Sequence, residues 1–136
     1  MTTDTCQQLR RALLDLHRAL VDLERGDFEK QHGPQSAGEF LQVMAFSEDM
    51  RWLEPLSRLI TMLDEAIDGA ADAVATPRAV AQRARDLLGL DRDSADPFKQ
   101  RYAQRFDQSP PLVHAHTAAI AALKAVGTVA PGGTPG

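Results

Sequence analysis

Apolar residues recur every three or four positions along most of the chain, which is the spacing of one face of an α-helix. The clearest example is residues 52–68, where polar residues occupy the opposite face. Pro55 suits a first helical turn, and Gly69 suits the left-handed residue that ends a helix. We predict a central core helix here, either continuous through Pro55 or bent there. The predicted core comprises Leu16, Trp52, Leu56, Leu59 and Leu63.

The chain from about Asp4 to His32 predicts a long helix with two apolar faces, ended by Gly33 and Pro34. One face is a seam of leucines, and the other is a strip rotated by roughly 100–140° from that seam. A helix that packs against a single neighbour needs only one apolar face. The strip therefore predicts either a second neighbour within the chain or an interface with another protein, including a second copy. The seam is Leu9, Leu13, Leu16, Leu20 and Leu23, and the strip is Leu14, Val21 and Phe28.

Capping signals divide the rest of the chain into further helices. No stretch shows sustained period-two alternation and no internal repeat occurs, so the fold class is all-α. We predict one bundle of five or six helices with a long N-terminal helix over residues 1–127. Residues 128–136 form a Pro/Gly-rich tail that we expect to be disordered. The capping signals are Ser36 with Glu39, Ser47, Thr76 with Pro77, and Asp96 with Pro97.

The net charge and the cysteine content limit the cellular compartments and the classes of binding partner to be expected. With 19 acidic and 15 basic side chains the net charge is −4, which gives no general attraction to nucleic acid or anionic membranes. Cys6 is the single cysteine, so an intramolecular disulfide is excluded and a reducing compartment is expected. The chain shows no secretory leader and no apolar run of about 18 residues. We predict a cytoplasmic protein without membrane association.

Histidines and carboxylates suggest a metal hypothesis, which the spacing disfavours. His114 and His116 lie about 200° apart on a helix, so one ion cannot bind both. His116 lies in an apolar stripe and His17 borders one, which is typical of hydrogen-bonded structural histidines. We predict no metal and no cofactor. The candidates for an alternative ligand pocket are His17, Trp52, His116, Asp64 and Asp68.

The segment 98–106 interleaves aromatic and cationic residues, a composition also found where nucleic-acid bases stack. The aromatics here are four residues apart, so they share one helix face, and core packing flanked by arginines is the simpler interpretation. Asp64, Glu65 and Asp68 crowd a helix C-terminus, where the helix dipole disfavours negative charge. We expect solvent, a bound cation or arginines such as Arg101 or Arg105 to compensate them.

Several phrases of the sequence resemble a set of small bacterial helical proteins of unassigned function. The resemblance covers roughly Leu9 to Leu123 and implies the helical fold, but it supplies no catalytic residues. The phrases are LLDLHRALVDLERGDFEKQHG, GEFLQ, WLEPLSRLITMLDEAID and VHAHTAAIAAL.

Motifs of the common enzyme classes, such as GxSxG, the P-loop and HExxH, do not occur in the sequence. We therefore predict a non-enzymatic protein that acts by binding a protein partner, itself or another, as an adaptor or regulator. The first alternative is a bundle that binds a small ligand or metal. The second is a nucleic-acid-binding protein using Arg101 and Arg105, which the negative net charge disfavours.

Overall fold

The computed structural model describes residues 3–69 and 76–128, and within these ranges every regular element is helical. This confirms the all-α prediction with five or six helices and a long first helix. The segment 70–75, predicted as a helix extension or a linker, lies outside the described residues, as does the predicted tail after Thr128. The helices are α1 (Thr3–His32), α2 (Ala37–Phe46), a 3-10 helix (Glu48–Leu53), α3 (Glu54–Asp68), α4 (Pro77–Leu87), α5 (Pro97–Gln108) and α6 (Pro110–Thr128).

Local capping chemistry sets several of the helix ends. The Ser36 backbone N–H donates to Glu39 Oε1 at 2.8 Å, and the Glu39 N–H donates to Ser36 Oγ at 3.1 Å, which completes the predicted capping box. Gly33 and Gly69 have φ of 87° and 66°, a left-handed conformation that disfavours side chains with a Cβ. Both predicted stops are therefore confirmed. The other predicted side-chain caps that form are Ser47, Thr76 and Asp96.

The central helix begins later than the hydrophobic pattern indicated. Trp52 belongs to the 3-10 helix, and α3 starts at Glu54, so the prediction of an α-helix from Trp52 was wrong. The Ser47 side chain caps the tighter 3-10 segment, which runs directly into α3, and Pro55 lies in the first turn of α3. Trp52, predicted as a core residue, is partly buried and packs against the edge of the core.

The core lies where α1 packs along α6 and α3, while α4 packs against α3 and α6. Leu9, Leu13, Leu16 and Leu20 of the α1 seam are completely inaccessible to solvent. The predicted core residues Leu56, Leu59 and Leu63 are buried as well. The apolar spacing of α6 also predicts Val113 on its buried side, but Val113 is exposed. The buried positions of α6 follow one narrow stripe at Leu112, Ala119, Leu123 and Val126.

Replacing a core leucine of α3 should be costly. Leu56→Ala removes a fully buried side chain and leaves a cavity, so we expect the free energy of unfolding to fall by about 2–5 kcal/mol in urea titrations. The control, Thr61→Ala, lies on the exposed side of the same helix and should change it by no more than about 0.5 kcal/mol. Equal effects of the two substitutions would contradict this core.

Candidate functional sites

A buried cluster of charges joins α1, the 3-10 helix and α5. Glu24 of α1 is only 4% exposed. Its Oε1 accepts a hydrogen bond of 3.2 Å from Trp52 Nε1, and its Oε2 lies 2.5 Å from Arg105 Nη2. Arg105 Nη1 also lies 2.6 Å from Asp27 Oδ2. One guanidinium therefore bridges two carboxylates of α1, and the deeper carboxylate also holds the tryptophan.

The sequence contained a signal for this cluster that our predictions missed. Glu24 follows Leu20 by four residues, so it continues the buried leucine seam of α1 as a charged residue. A charge at a seam position is buried only when it is paired. Asp27, one turn further along α1, faces the same guanidinium. We had assigned Arg105 as one possible partner for the acids of α3, whereas the structure pairs it with acids of α1.

The cluster is not fully hydrogen-bonded. Arg105 Nε has no acceptor, and the contact between Glu24 Oε2 and Arg105 lacks hydrogen-bond geometry. The arrangement is therefore an ion pair with some unsatisfied polar atoms rather than a saturated network. A buried ion pair stabilises the folded state little more than apolar side chains of the same volume would. Removing one of its partners, however, destabilises the fold strongly.

An aromatic row continues from Trp52 through α5 to α6. Trp52 contacts Phe98 at 5.5 Å between ring centroids, Phe98 stacks on Tyr102 at 5.5 Å, and Tyr102 contacts His116 at 5.6 Å. The Arg101 guanidinium lies 5.9 Å from the centre of the Trp52 ring. The interleaved aromatic and cationic residues of α5 thus contact other parts of the same chain. This arrangement favours core packing over base stacking.

Two of the histidines are hydrogen-bonded inside the bundle. His116 Nδ1 and the Tyr102 hydroxyl are 2.6 Å apart, and His17 Nε2 and Ser57 Oγ are 2.8 Å apart. Burial lowers the pKa of both histidines and raises the pKa of Tyr102. At neutral pH both imidazoles are therefore uncharged, as expected for structural histidines.

The contact between Ser57 and His17 has the two partners of a nucleophile and its base. In an activated serine a third group orients the imidazole. Within the described residues, His17 has no hydrogen bond besides that to Ser57. The Ser57 hydroxyl also lies 3.4 Å from the Leu53 carbonyl oxygen in the preceding turn. The pair therefore lacks the support that serine nucleophiles require.

The five candidate pocket residues do not line a common pocket in the structure. His17 lines a groove between α1 and α2, whereas Trp52 and His116 belong to the aromatic row. Asp64 forms an ion pair with Arg10, and Asp68 is exposed at the end of α3. Across residues 3–69 and 76–128, no group of three or more His, Cys, Asp or Glu side chains could hold a metal ion.

The groove between α1 and α2 has a volume of about 420 Å³. Its walls are mainly apolar, and helix α2 covers part of the predicted interaction strip. Phe28 packs on Phe40 at 6.0 Å and Val21 is partly buried, while Leu14 remains 38% exposed. Helix α2 itself adds exposed apolar surface, with Leu41 at 68% exposure. The groove is lined by His17, Arg18, Val21, Asp22, Arg25, Ala37, Phe40, Leu41 and Met44.

A second groove of about 390 Å³ lies between α3, α4 and the start of α5. Leu59, Met62 and Leu87 form its apolar floor. At its edge, the Arg83 guanidinium contacts only the sulfur of Met62, 3.9 Å away, among the described residues. Lys99 Nζ donates to the carbonyl oxygens of Asp86, in the last turn of α4, and of Gly89, just after that helix.

Compared with known proteins, the chain matches no family model, no curated protein and no solved structure. The resemblance to small bacterial helical proteins therefore stays a prediction. Within residues 3–69 and 76–128, no helix has both the length and the apolar character needed to cross a membrane.

Breaking the buried ion pair should destabilise the bundle strongly. Arg105→Met leaves the Glu24 carboxylate buried without its cation, so we expect a loss of about 3–5 kcal/mol in urea unfolding. Adding Glu24→Gln should recover part of this loss, because the amide is neutral and its oxygen still accepts from Trp52. The surface pair of Arg92 and Asp107 provides the control, and Arg92→Met should have little effect. Strictly additive effects of the two buried substitutions would contradict the coupling.

Folding stability should decrease as the pH falls from about 7 to 5. Burial holds the pKa of His17 and His116 below the ordinary value of 6.5, so the unfolded chain binds more protons in this range. Each histidine contributes at most about 1.4 kcal/mol per pH unit. The variant H17Q/H116Q should reduce this slope in urea titrations at several pH values, whereas H32Q/H114Q, at exposed positions, should retain it. Equal slopes in both variants would contradict this assignment.

Proposed function

We propose that the chain is a non-enzymatic interaction module that binds a protein through the face formed by α1 and α2. The observation that carries this proposal is the groove between the two helices, which has apolar walls and a charged edge. Exposed apolar surface surrounded by polar residues is typical of protein interaction sites. The partner is a second copy of this chain or another protein, and the cytoplasmic location stays a prediction from the sequence.

The exposed side chains around this groove support a macromolecular partner. Leu14 lies on α1 at 38% exposure, and Leu41 lies on α2 at 68% exposure. A folded domain gains no stability from large apolar side chains in water, whereas an interface gains by burying them.

The contacts of the interior polar groups support a non-enzymatic role. Glu24, Arg105 and Trp52 contact one another, and Tyr102 is hydrogen-bonded to His116. Active-site groups need to reach a substrate from a cavity. Tyr102 and His116, whose pKa values burial shifts, instead hold α5 against α6.

The groove between α3, α4 and α5 favours a second function, the binding of a small amphipathic molecule. Its apolar floor suits a hydrocarbon group, and its edge carries both Arg83, which forms no ion pair among the described residues, and the carboxylates of Asp86 and Asp96. A small molecule with an apolar tail and a polar head group fits this combination. For nucleic acid, the internal contacts of Arg101 and Arg105 weaken the proposal, since neither guanidinium is free.

Site-specific photocrosslinking tests the α1–α2 face. With p-benzoylphenylalanine in place of Leu41, we expect a light-dependent protein adduct whose components mass spectrometry identifies. Excess wild-type protein should compete it away, and Leu14→Glu should weaken it. The same probe in place of Gln82, exposed on α4, is the control. No adduct from position 41, or equal adducts from both positions, would contradict the proposed face.

A further inference from the structure

Charged side chains follow the outer face of α1 with alternating sign from Arg11 to Arg25. Arg25 is engaged within the chain, since it pairs with Glu29 and donates to the Gln35 carbonyl oxygen, which leaves four. Arg11, Asp15, Arg18 and Asp22 are separated by four, three and four residues, so they share one side of the helix. All four are exposed. We call them the charge ladder of α1.

The charge ladder is not used within the chain. Over residues 3–69 and 76–128, none of its four side chains forms an ion pair or a hydrogen bond, although neighbours lie at helical pairing distances. The two pairs separated by four residues place the base before the acid, which is the less favourable order on a helix. The four charges therefore remain open to an external partner.

The order of the ladder is antisymmetric, because reading it backwards exchanges every sign while keeping every spacing. An antiparallel copy of α1 consequently presents the partner's Asp22 to Arg11 and the partner's Arg18 to Asp15. The two-fold axis repeats both contacts, so all four positions on each copy face an opposite charge. A parallel copy in the same register would place like charges against each other. We propose, on the basis of the proposed interaction face, that its partner is a second copy of this chain bound antiparallel along α1.

The apolar surface fits the same arrangement. Helix α2 lies along the C-terminal half of α1, where Phe40 contacts Phe28 and Met44 lines the groove with Val21. In an antiparallel pair, the α2 of each copy therefore approaches the N-terminal half of the other copy's α1. That half carries the exposed Leu14.

Leu41 lies next to both the apolar groove and the charge ladder. It lines the groove together with Arg18 and Asp22 of the charge ladder, so it belongs to the same side of the molecule. The dimer would cover Leu41 of one copy and Leu14 of the other. In such an interface the charges set the orientation and the apolar residues supply affinity.

Complementary charge variants test the arrangement by light scattering and sedimentation. The acidic variant R11D/R18D carries four acids in the ladder, and the basic variant D15R/D22R carries four bases. Wild type should be dimeric, and each variant alone should dissociate with a dimer Kd raised roughly tenfold or more. An equimolar mixture should form a heterodimer. The fourfold exchange R11D/D15R/R18D/D22R restores antisymmetry and should dimerise like wild type.

Circular dichroism checks that each variant keeps its helical content, and the fourfold exchange tests the proposal even if one double variant fails to fold. A monomeric wild type, undiminished self-association of both double variants, or failure of their mixture to pair would each overturn the antiparallel dimer. A monomeric wild type that still gives a specific adduct with another protein at position 41 would overturn the dimer alone. Loss of both the dimer and the adduct would overturn the proposed function as well.

Discussion

Burial of the leucine seam of α1 is the constraint on which the remaining packing depends. The seam residues Leu9, Leu13, Leu16 and Leu20 are fully enclosed, and α1 is the longest helix that the structure describes. Helices α3 and α6 both pack against it. Glu24 continues the seam with a carboxylate, so the chain has to supply a cation at that depth. Arg105 meets this requirement and thereby fixes α5 next to α1.

The helices and much of the core could be predicted because their causes are local. A capping box involves residues three positions apart, and a hydrophobic stripe is visible within a few turns. The pairing of Arg105 with Glu24 joins residues far apart in the chain, and the pairing of Arg10 with Asp64 spans 54 positions. Such partners follow from how helices pack, which periodicity does not specify. For the same reason, the sequence alone did not indicate that Arg105 pairs with acids of α1.

At the candidate site, too, the local pattern could be predicted from the sequence, whereas the packing around it could not. The second apolar strip of α1 was recognisable from spacing alone, yet the sequence did not indicate that α2 would cover Phe28 and part of Val21 while leaving Leu14 exposed. The candidate pocket residues illustrate the opposite case. His17, Trp52 and His116 have the residue types of a ligand site, but in the folded chain each is hydrogen-bonded to a different side chain of the same protein.

The turn between α1 and α2 is fastened by side chains of α1 itself. The Gln35 backbone N–H donates to Glu29 Oε2 at 2.8 Å, and Arg25 Nη2 donates to the Gln35 carbonyl oxygen at 2.5 Å. Both backbone groups of this residue are thus held by the helix that precedes it. Helix α2 consequently has its orientation before any partner arrives, and little conformational entropy is lost when its outer surface is covered. The turn therefore preorganises the proposed α1–α2 interaction face.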